Sequence, residues 1–186
     1  MFKTLIVLTA LTWLAGTGAQ AKKPMPPNAL DAVLVSEEMV TTPSESDVFQ
    51  TKLEEAVFRL TNAERQKAGL APLEHSHTMQ NYARLKVKDM ADRNYFGHGD
   101  PDGKLIQHIL DADGVKYYIW GENLALLGGF DMDTEELAAL FLKNWMESPT
   151  HRDNILSSEF TQVGIGVVKA GERLYAAQEF MRPPKQ

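Results

Sequence analysis

The chain is expected to fold as an α+β domain, with helices packed on a mostly antiparallel sheet that ends in a C-terminal hairpin. Apolar residues recur at helical spacing in successive stretches between residues 47 and 145, each giving one apolar helix face. The period then changes to alternation in two runs, 161–168 and 173–181, joined by the tight turn at Ala170-Gly171, as in an antiparallel hairpin. A series of helices followed by a terminal hairpin places the chain in the α+β class.

With 186 residues, the chain suffices for one domain with a proper core and some additional sequence. It begins with features of a secretory signal peptide: Lys3, an eleven-residue apolar run at 5–15, and the small-x-small pattern Ala19-Gln20-Ala21. That run falls short of the roughly 18–20 apolar residues a membrane-spanning helix needs. Cleavage after Ala21 and a secreted or periplasmic location are therefore expected, with no stable membrane span afterwards. The formal charge is -6, and removing the leader with its one Lys leaves -7. A mildly acidic chain without a basic cluster is not built for nucleic acid. The absence of cysteine excludes disulfides, thiolate metal sites and cysteine nucleophiles.

Residues 22–46 read as a proline-rich tether, broken at Pro24, Pro26, Pro27 and Pro43. A first helix is expected from Ser46 or Asp47 to about Ala68. Phe49, Leu53, Ala56, Val57 and Leu60 form its buried face, and Gly69 stops it. Asn62 and Arg65, one turn apart near its end, read as a surface pair. A second helix is expected over 78–93, preceded by His75 and His77, which read as solvated. A short helix follows at 104–112. Residues 115–120, aromatic and β-branched, are expected to be extended. Asp133 or Thr134 opens a further helix with Leu137, Leu140, Phe141 and Trp145 on its apolar face, stopped by Ser148-Pro149. In the last hairpin, Gly164 and Gly166 leave one strand face bare, as required where a helix or an aromatic ring lies closely over it.

Three stretches carry chemistry: residues 95–103 with His98, Trp120-Gly121-Glu122-Asn123-Leu124, and residues 145–152 with Glu147, Ser148 and His151. Each mixes aromatic, polar and helix-breaking residues, and all three read as loops converging on one cleft. His98, Glu122 and His151 stand 24 and 29 residues apart, so their spacing alone sets no geometry. A structural role is the alternative. Glu122 and Asn123 would then bind backbone groups as buried polar residues do, and His151 and Arg152 would cap the preceding helix.

The order of these motifs resembles the CAP superfamily, which comprises cysteine-rich secretory proteins, insect venom antigens and plant pathogenesis-related proteins. The likeness rests on Asn62-x-x-Arg65 with Gly69-Leu70-x-Pro72-Leu73, on Phe96-x-His98, and on Gly121-Glu122-Asn123. It continues through Trp145-x-x-Ser148-Pro149-x-His151-Arg152-x-Asn154-Ile155-Leu156, Phe160-Thr161-Gln162-Val163-Gly164-x-Gly166 and Gln178-x-Phe180. The serine-proline-x-histidine-arginine form and the lack of cysteine are similar to the bacterial branch. The resemblance implies an α-β-α sandwich over 47–182, with 183–186 as a tail. The family's animal and plant members carry two histidines and two glutamates in the cleft. His98 matches the first histidine and Glu122 the first glutamate. Ser148 stands where the second glutamate is usual, with Glu147 one position early. The second histidine is replaced around Glu159-Phe160, and His151 takes its place in the bacterial form.

If His98, Glu122 and His151 converge, two imidazoles and a carboxylate make a three-ligand set for Zn²⁺ or another divalent metal. An open position on that metal would activate water, with Glu147 as base. The expected function is a polar cleft, including Glu147 and Ser148, that binds a small molecule, a lipid, another cell-envelope ligand or a divalent metal without turnover. The alternatives are a metal-dependent or Glu/His-dependent hydrolase of peptide or cell-wall polymer, and a cell-envelope interaction domain with a relic cleft. No Gly-x-Ser-x-Gly or His-Glu-x-x-His motif occurs, and Ser148 is an unactivated hydroxyl, so binding is favoured over catalysis.

Overall fold

The computed structural model describes residues 42–185 apart from Phe130. The expected signal peptide and the tether up to residue 41 lie outside the described residues. The elements, in chain order, are α1 (Glu45–Lys67), β1 (Glu74–His75), α2 (His77–Asp92), α3 (Ile106–Ala112), β2 (Ile119–Gly128), α4 (Thr134–Glu147), α5 (Pro149–Ile155), β3 (Gln162–Ala170) and β4 (Arg173–Arg182). The sheet order is β1-β3-β4-β2. β1 pairs parallel to β3, and the other two pairings are antiparallel.

Local chemistry sets the helix ends. Ser44, rather than Ser46 or Asp47, caps α1: its hydroxyl accepts from Asp47 N–H at 3.1 Å, and the Asp47 carboxylate accepts from Ser44 N–H at 3.1 Å. This reciprocal pair satisfies two donors that a helix start leaves free. Asp133 caps α4 in the same way through the amides of Glu135 and Glu136, both at 2.9 Å. Pro149 occupies the first turn of α5, where its missing N–H costs nothing. Ser148-Pro149 therefore ends α4 and at once begins another helix.

Side-chain alternation on the strands builds two cores. Val163, Ile165 and Val167 of β3, with Leu174, Ala176 and Phe180 of β4, pack against Leu53, Ala56 and Val57 of α1, Phe141 and Trp145 of α4, and Ile155 of α5. Tyr175, Ala177 and Met181 of β4 face the other way, toward Met79, Ala83, Val87 and Met90 of α2 and toward α3. Each fully buried apolar side chain of this kind contributes about 1.5–3 kcal/mol. Helices thus cover both faces of the sheet, as the sandwich expectation requires. At the edge of β3 left open beyond β1, the buried Glu54 of α1 accepts from Val167 N–H at 3.1 Å and from Arg84 of α2, which closes part of that edge.

Three expectations are corrected. The extended segment begins at Ile119, not residue 115, and runs on through Glu122 and Asn123 to Gly128. Trp120-Gly121-Glu122-Asn123-Leu124 is therefore strand. Residues 145–152 are the end of α4 and the start of α5; of the three stretches, only 95–103 is a loop. Asn62 and Arg65 are not a surface pair. Asn62 binds the Leu73 carbonyl at 3.0 Å and its N–H at 2.8 Å. Arg65 is buried and donates to the carbonyls of Ala71, Ile155 and Ser157 at 2.9, 2.8 and 2.7 Å. A planar guanidinium reaches three separate carbonyls at once, and so ties α1 to the turn after α5.

The bare face of β3 receives α2. A Cβ at Gly164 would overlap the backbone of Met79 and Gln80, and one at Gly166 the backbone of Ala83 and Arg84. Gly166→Ala should therefore lower the unfolding free energy by about 2 kcal/mol or more, or prevent folding, because backbone cannot yield as a side-chain tip can. Urea denaturation measures this. A loss below about 0.5 kcal/mol would mean that helix and strand are not in such close contact.

Candidate functional site

The loop that carries His98 is held from both ends. α2 closes at Arg93, and Asn94 turns the chain with a left-handed φ of 51°. The Asp100 carboxylate then accepts from the N–H groups of Asp102 and Lys104 at 2.9 and 2.7 Å, a side-chain-driven turn. Arg93 reaches back to Asp100 and Asp102 at 3.1 and 2.8 Å. Beneath the loop, Lys86 of α2 is buried and donates to the His98 carbonyl at 2.6 Å. Its ammonium also lies 5.2 Å from the centre of the Tyr95 ring. Burial pulls the Lys86 pKa down, and the surrounding acids, Glu122 first among them, oppose that pull.

β2 brings Glu122 to His98. The His98 Nδ1 to Glu122 Oε1 distance is 2.5 Å, between an imidazole whose side chain is 55% exposed and a carboxylate that is 1% exposed. The hydrogen bond from Glu122 raises the His98 pKa above its ordinary value, with burial opposing it. Directly across the sheet, β4 places Glu179 opposite Glu122. Glu179 is fully buried, and its Oε2 accepts from the Trp120 indole N–H at 2.7 Å. Burial first, and Glu122 second, push the Glu179 carboxyl well above its ordinary range. Sequence reasoning missed this residue. The signal available was an acid standing in the β4 run 174–181, which is otherwise apolar apart from Gln178.

α5 supplies His151. Its backbone carbonyl accepts from Asn123 Nδ2 at 3.0 Å, and Asn154 donates to the Glu122 carbonyl at 3.3 Å and to Asn123 Oδ1 at 2.8 Å. The His151 ring is near enough for the charge of His98 to lower its pKa, second to burial. Glu147 ends α4 and Ser148 opens α5, the helix that carries His151. Glu147 is exposed, with Lys143 at 3.9 Å, and the Ser148 hydroxyl stands 3.5 Å from that of Thr150. Asn123 and Asn154 are scaffold. Trp145 is core, its indole donating to the Leu124 carbonyl at 3.0 Å.

As placed, His98 Nδ1 and Glu122 Oε1 are not set as two ligands of one Zn²⁺. Ligand atoms at about 2.0–2.2 Å from a tetrahedral Zn²⁺ stand roughly 3.3 Å from one another. His98 Nδ1 and Glu122 Oε1, at 2.5 Å, are hydrogen-bonded to each other with no room for an ion between them. Among the described residues, no three His, Cys, Asp or Glu side chains are grouped so as to hold a metal ion.

These shifts set how stability depends on pH. Glu179 keeps its proton to higher pH in the fold than in the unfolded chain. Stability therefore falls as pH rises from about 4.5, its ordinary value, toward the raised folded value. His98 acts in the same sense: its contribution is complete below 6.5 and is lost as pH climbs through its raised folded value. His151 acts oppositely, with stability lost as pH falls from 6.5 through its lowered folded value. Glu179→Gln removes the first effect, so the decline from pH 4.5 toward neutrality should flatten in urea-unfolding curves taken across that range. An unchanged slope would show that Glu179 does not hold a proton there.

The model of the CAP (cysteine-rich secretory protein) family matches residues 58–180. Uncharacterized protein YkwD of Bacillus subtilis is 39% identical over 131 residues, which cover 70% of this chain and 48% of that protein. Uncharacterized membrane protein YlbC of the same organism is 32% identical over 133 residues, covering 72% and 35%. The chain thus spans less than half the length of these curated relatives. An extracellular protein containing an SCP domain from Bacillus anthracis superposes with a TM-score of 0.62 at 29% identity, covering 76% of this chain and 45% of that one. The matched span takes in most of both cores, the His98 loop, Glu122 and Glu179, and on that ground the chain belongs to the CAP family of cysteine-rich secretory proteins.

Proposed function

We propose that this chain is a secreted or periplasmic CAP-domain protein whose cleft at His98 and Glu122 binds a small polar ligand, or the polar headgroup of a lipid, without turning it over. The observation that carries this reading is the 2.5 Å contact between His98 Nδ1 and Glu122 Oε1. It fixes a half-exposed imidazole on a buried carboxylate, so that little ordering entropy remains to be lost on binding. The other ring nitrogen is left for a ligand. His98, its pKa raised, keeps a donating charge to higher pH, while His151, its pKa lowered, gives up its proton at lower pH. A donor and an acceptor side by side suit an anionic or hydroxyl-bearing group. Export is supported by the leader-like sequence and by the extracellular SCP-domain protein of similar fold. Among the described residues, no helix is long and apolar enough to cross a membrane.

The same contact gives a hydrolase reading some footing, since an imidazole oriented by a carboxylate is arranged to move a proton. That reading would need water as the attacking group, because the hydroxyl bonded to Ser148 is that of Thr150 and not a base, and Glu147 has Lys143 at 3.9 Å. Binding is the better-supported reading for this reason.

Native mass spectrometry of the protein recovered from its own compartment tests the proposal. A small-molecule adduct is expected on the wild type and should drop at least about tenfold in occupancy in His98→Ala. An adduct equally abundant in both proteins, or absent from both, would sink the binding reading. Cleavage of peptide or peptidoglycan that disappears in the same variant would instead favour the hydrolase.

A further inference from the structure

Glu122 Oε2 and Glu179 Oε1 are buried side-chain oxygens with no hydrogen-bond donor among the described residues. They belong to side chains that face each other across the β2–β4 pair. Buried carboxylates ordinarily gather donors, as Glu54 does here. It too is buried, and it meets the Arg84 guanidinium, the amides of Gln50 and Gln80, and the Val167 N–H. Glu179 has one such donor, the Trp120 indole, and that bond is made to its other oxygen.

The charges packed around the pair come from every neighbouring element, and none makes up the deficit. Lys86 of α2 directs its ammonium to the His98 carbonyl. Asp89 of α2 accepts from the Tyr95 hydroxyl at 2.5 Å and lies near Arg93, and Asp100 of the loop is bound by Arg93. His98 binds Glu122 itself, and burial, then the charge of His98, lower the pKa of His151. Two bare carboxylates at cross-strand distance would repel each other in a medium that screens poorly. One proton between them removes the repulsion and satisfies both oxygens.

We infer that Glu179 is a positioning residue which, as the uncharged carboxylic acid, donates its O–H to Glu122 Oε2 and so fixes the Glu122 carboxylate against His98 Nδ1. The links converge on the Glu122 carboxylate. The Trp120 N–H donates to Glu179, the Glu179 O–H donates to Glu122, and the His98 N–H donates to the other oxygen of Glu122. Each link holds one proton, and the far edge of the imidazole is set by a side chain two steps below the surface.

The test is an NMR titration of the His98 imidazole in ligand-free wild type, Glu179→Gln and Glu179→Leu. Glutamine is uncharged and of the same shape, and it donates N–H to Glu122 while its oxygen accepts from Trp120. Its His98 midpoint should stay within about 0.3 pH unit of wild type. Leucine leaves Glu122 Oε2 without a donor, which disfavours charge there and loosens the hold on His98. The midpoint should then fall by about one pH unit or more. Glutamine lowering the midpoint as far as leucine would mean that Glu179 acts as a negative charge. Leucine leaving it unchanged would mean that Glu179 is passive. Either result overturns the assignment. Should Glu179→Leu fail to fold, carbon-13 NMR of glutamate-labelled wild type decides: the Glu179 carboxyl is expected in its protonated form at pH 6, and an ionised signal there overturns it. Because the protein carries no ligand in these measurements, failure here leaves the binding proposal open, and failure of that proposal leaves this pairing intact.

Discussion

Because β3 bears only hydrogen at Gly164 and Gly166, the α2 backbone rests on the strand itself at Met79–Gln80 and Ala83–Arg84, and this seat governs what lies on that face of the sheet. Lys86 is three residues beyond Ala83 and so shares its side of the helix. The close approach therefore drives a lysine stem into the protein and presents its ammonium to the loop above. The loop in turn carries His98 at the height where β2 offers Glu122. A larger residue in either glycine position would lift α2 and move the Lys86 support away from the His98 carbonyl. The packing and the site are thus one arrangement.

The second determinant is strand register. Pairing residue 122 with residue 179 puts two acids face to face on the side of the sheet covered by α2 and α3. Slipping the pairing by one residue would turn every side chain of one strand to the other face and separate them. The register is set by apolar alternation along β4, where Leu174, Ala176 and Phe180 serve one core and Tyr175, Ala177 and Met181 the other. Core packing therefore supplies the free energy that holds two carboxyl groups in an environment neither would choose. Groups perturbed in this way by burial and a specific charged neighbour concentrate at functional sites, which is the physical ground for proposing a binding site here.

The opposite face carries a different polar system, fully hydrogen-bonded. Asn123 donates to Gln178 Oε1 at 3.0 Å, Gln178 donates to the Thr61 hydroxyl at 2.8 Å, and that hydroxyl donates to the Val57 carbonyl at 2.8 Å. Asn154 joins the chain through Asn123, and Arg65 binds the turn after α5. Buried networks of this kind rigidify when every member is satisfied. They fasten α5, and with it His151, to the strand that carries Glu122. The asparagines of the sequence motifs are thus structural, and what they hold in place is the second imidazole.

Much of this was legible in the chain. Apolar spacing located α1, α2 and α4, Asp133 marked the start of α4, alternation around Ala170-Gly171 located the hairpin, and Gly164 and Gly166 announced a close neighbour, because these signals depend on local geometry with a short period. His98, Glu122 and His151 group together through motif order and the make-up of their stretches. Residues 120–124 and 145–152 read as loops in the sequence because Gly121 and Pro149 look like breakers. Only the tertiary structure gives Gly121 a place in a strand, against the Phe160 ring, and gives Pro149 a helix start. The burial of Arg65 and the meeting of Glu179 with Glu122 were likewise decided by folding. Sequence by itself determined which residues are apolar, capping or titratable. Tertiary structure decided which titratable groups meet and lose their water, because both depend on distances between strands and helices that no local period encodes.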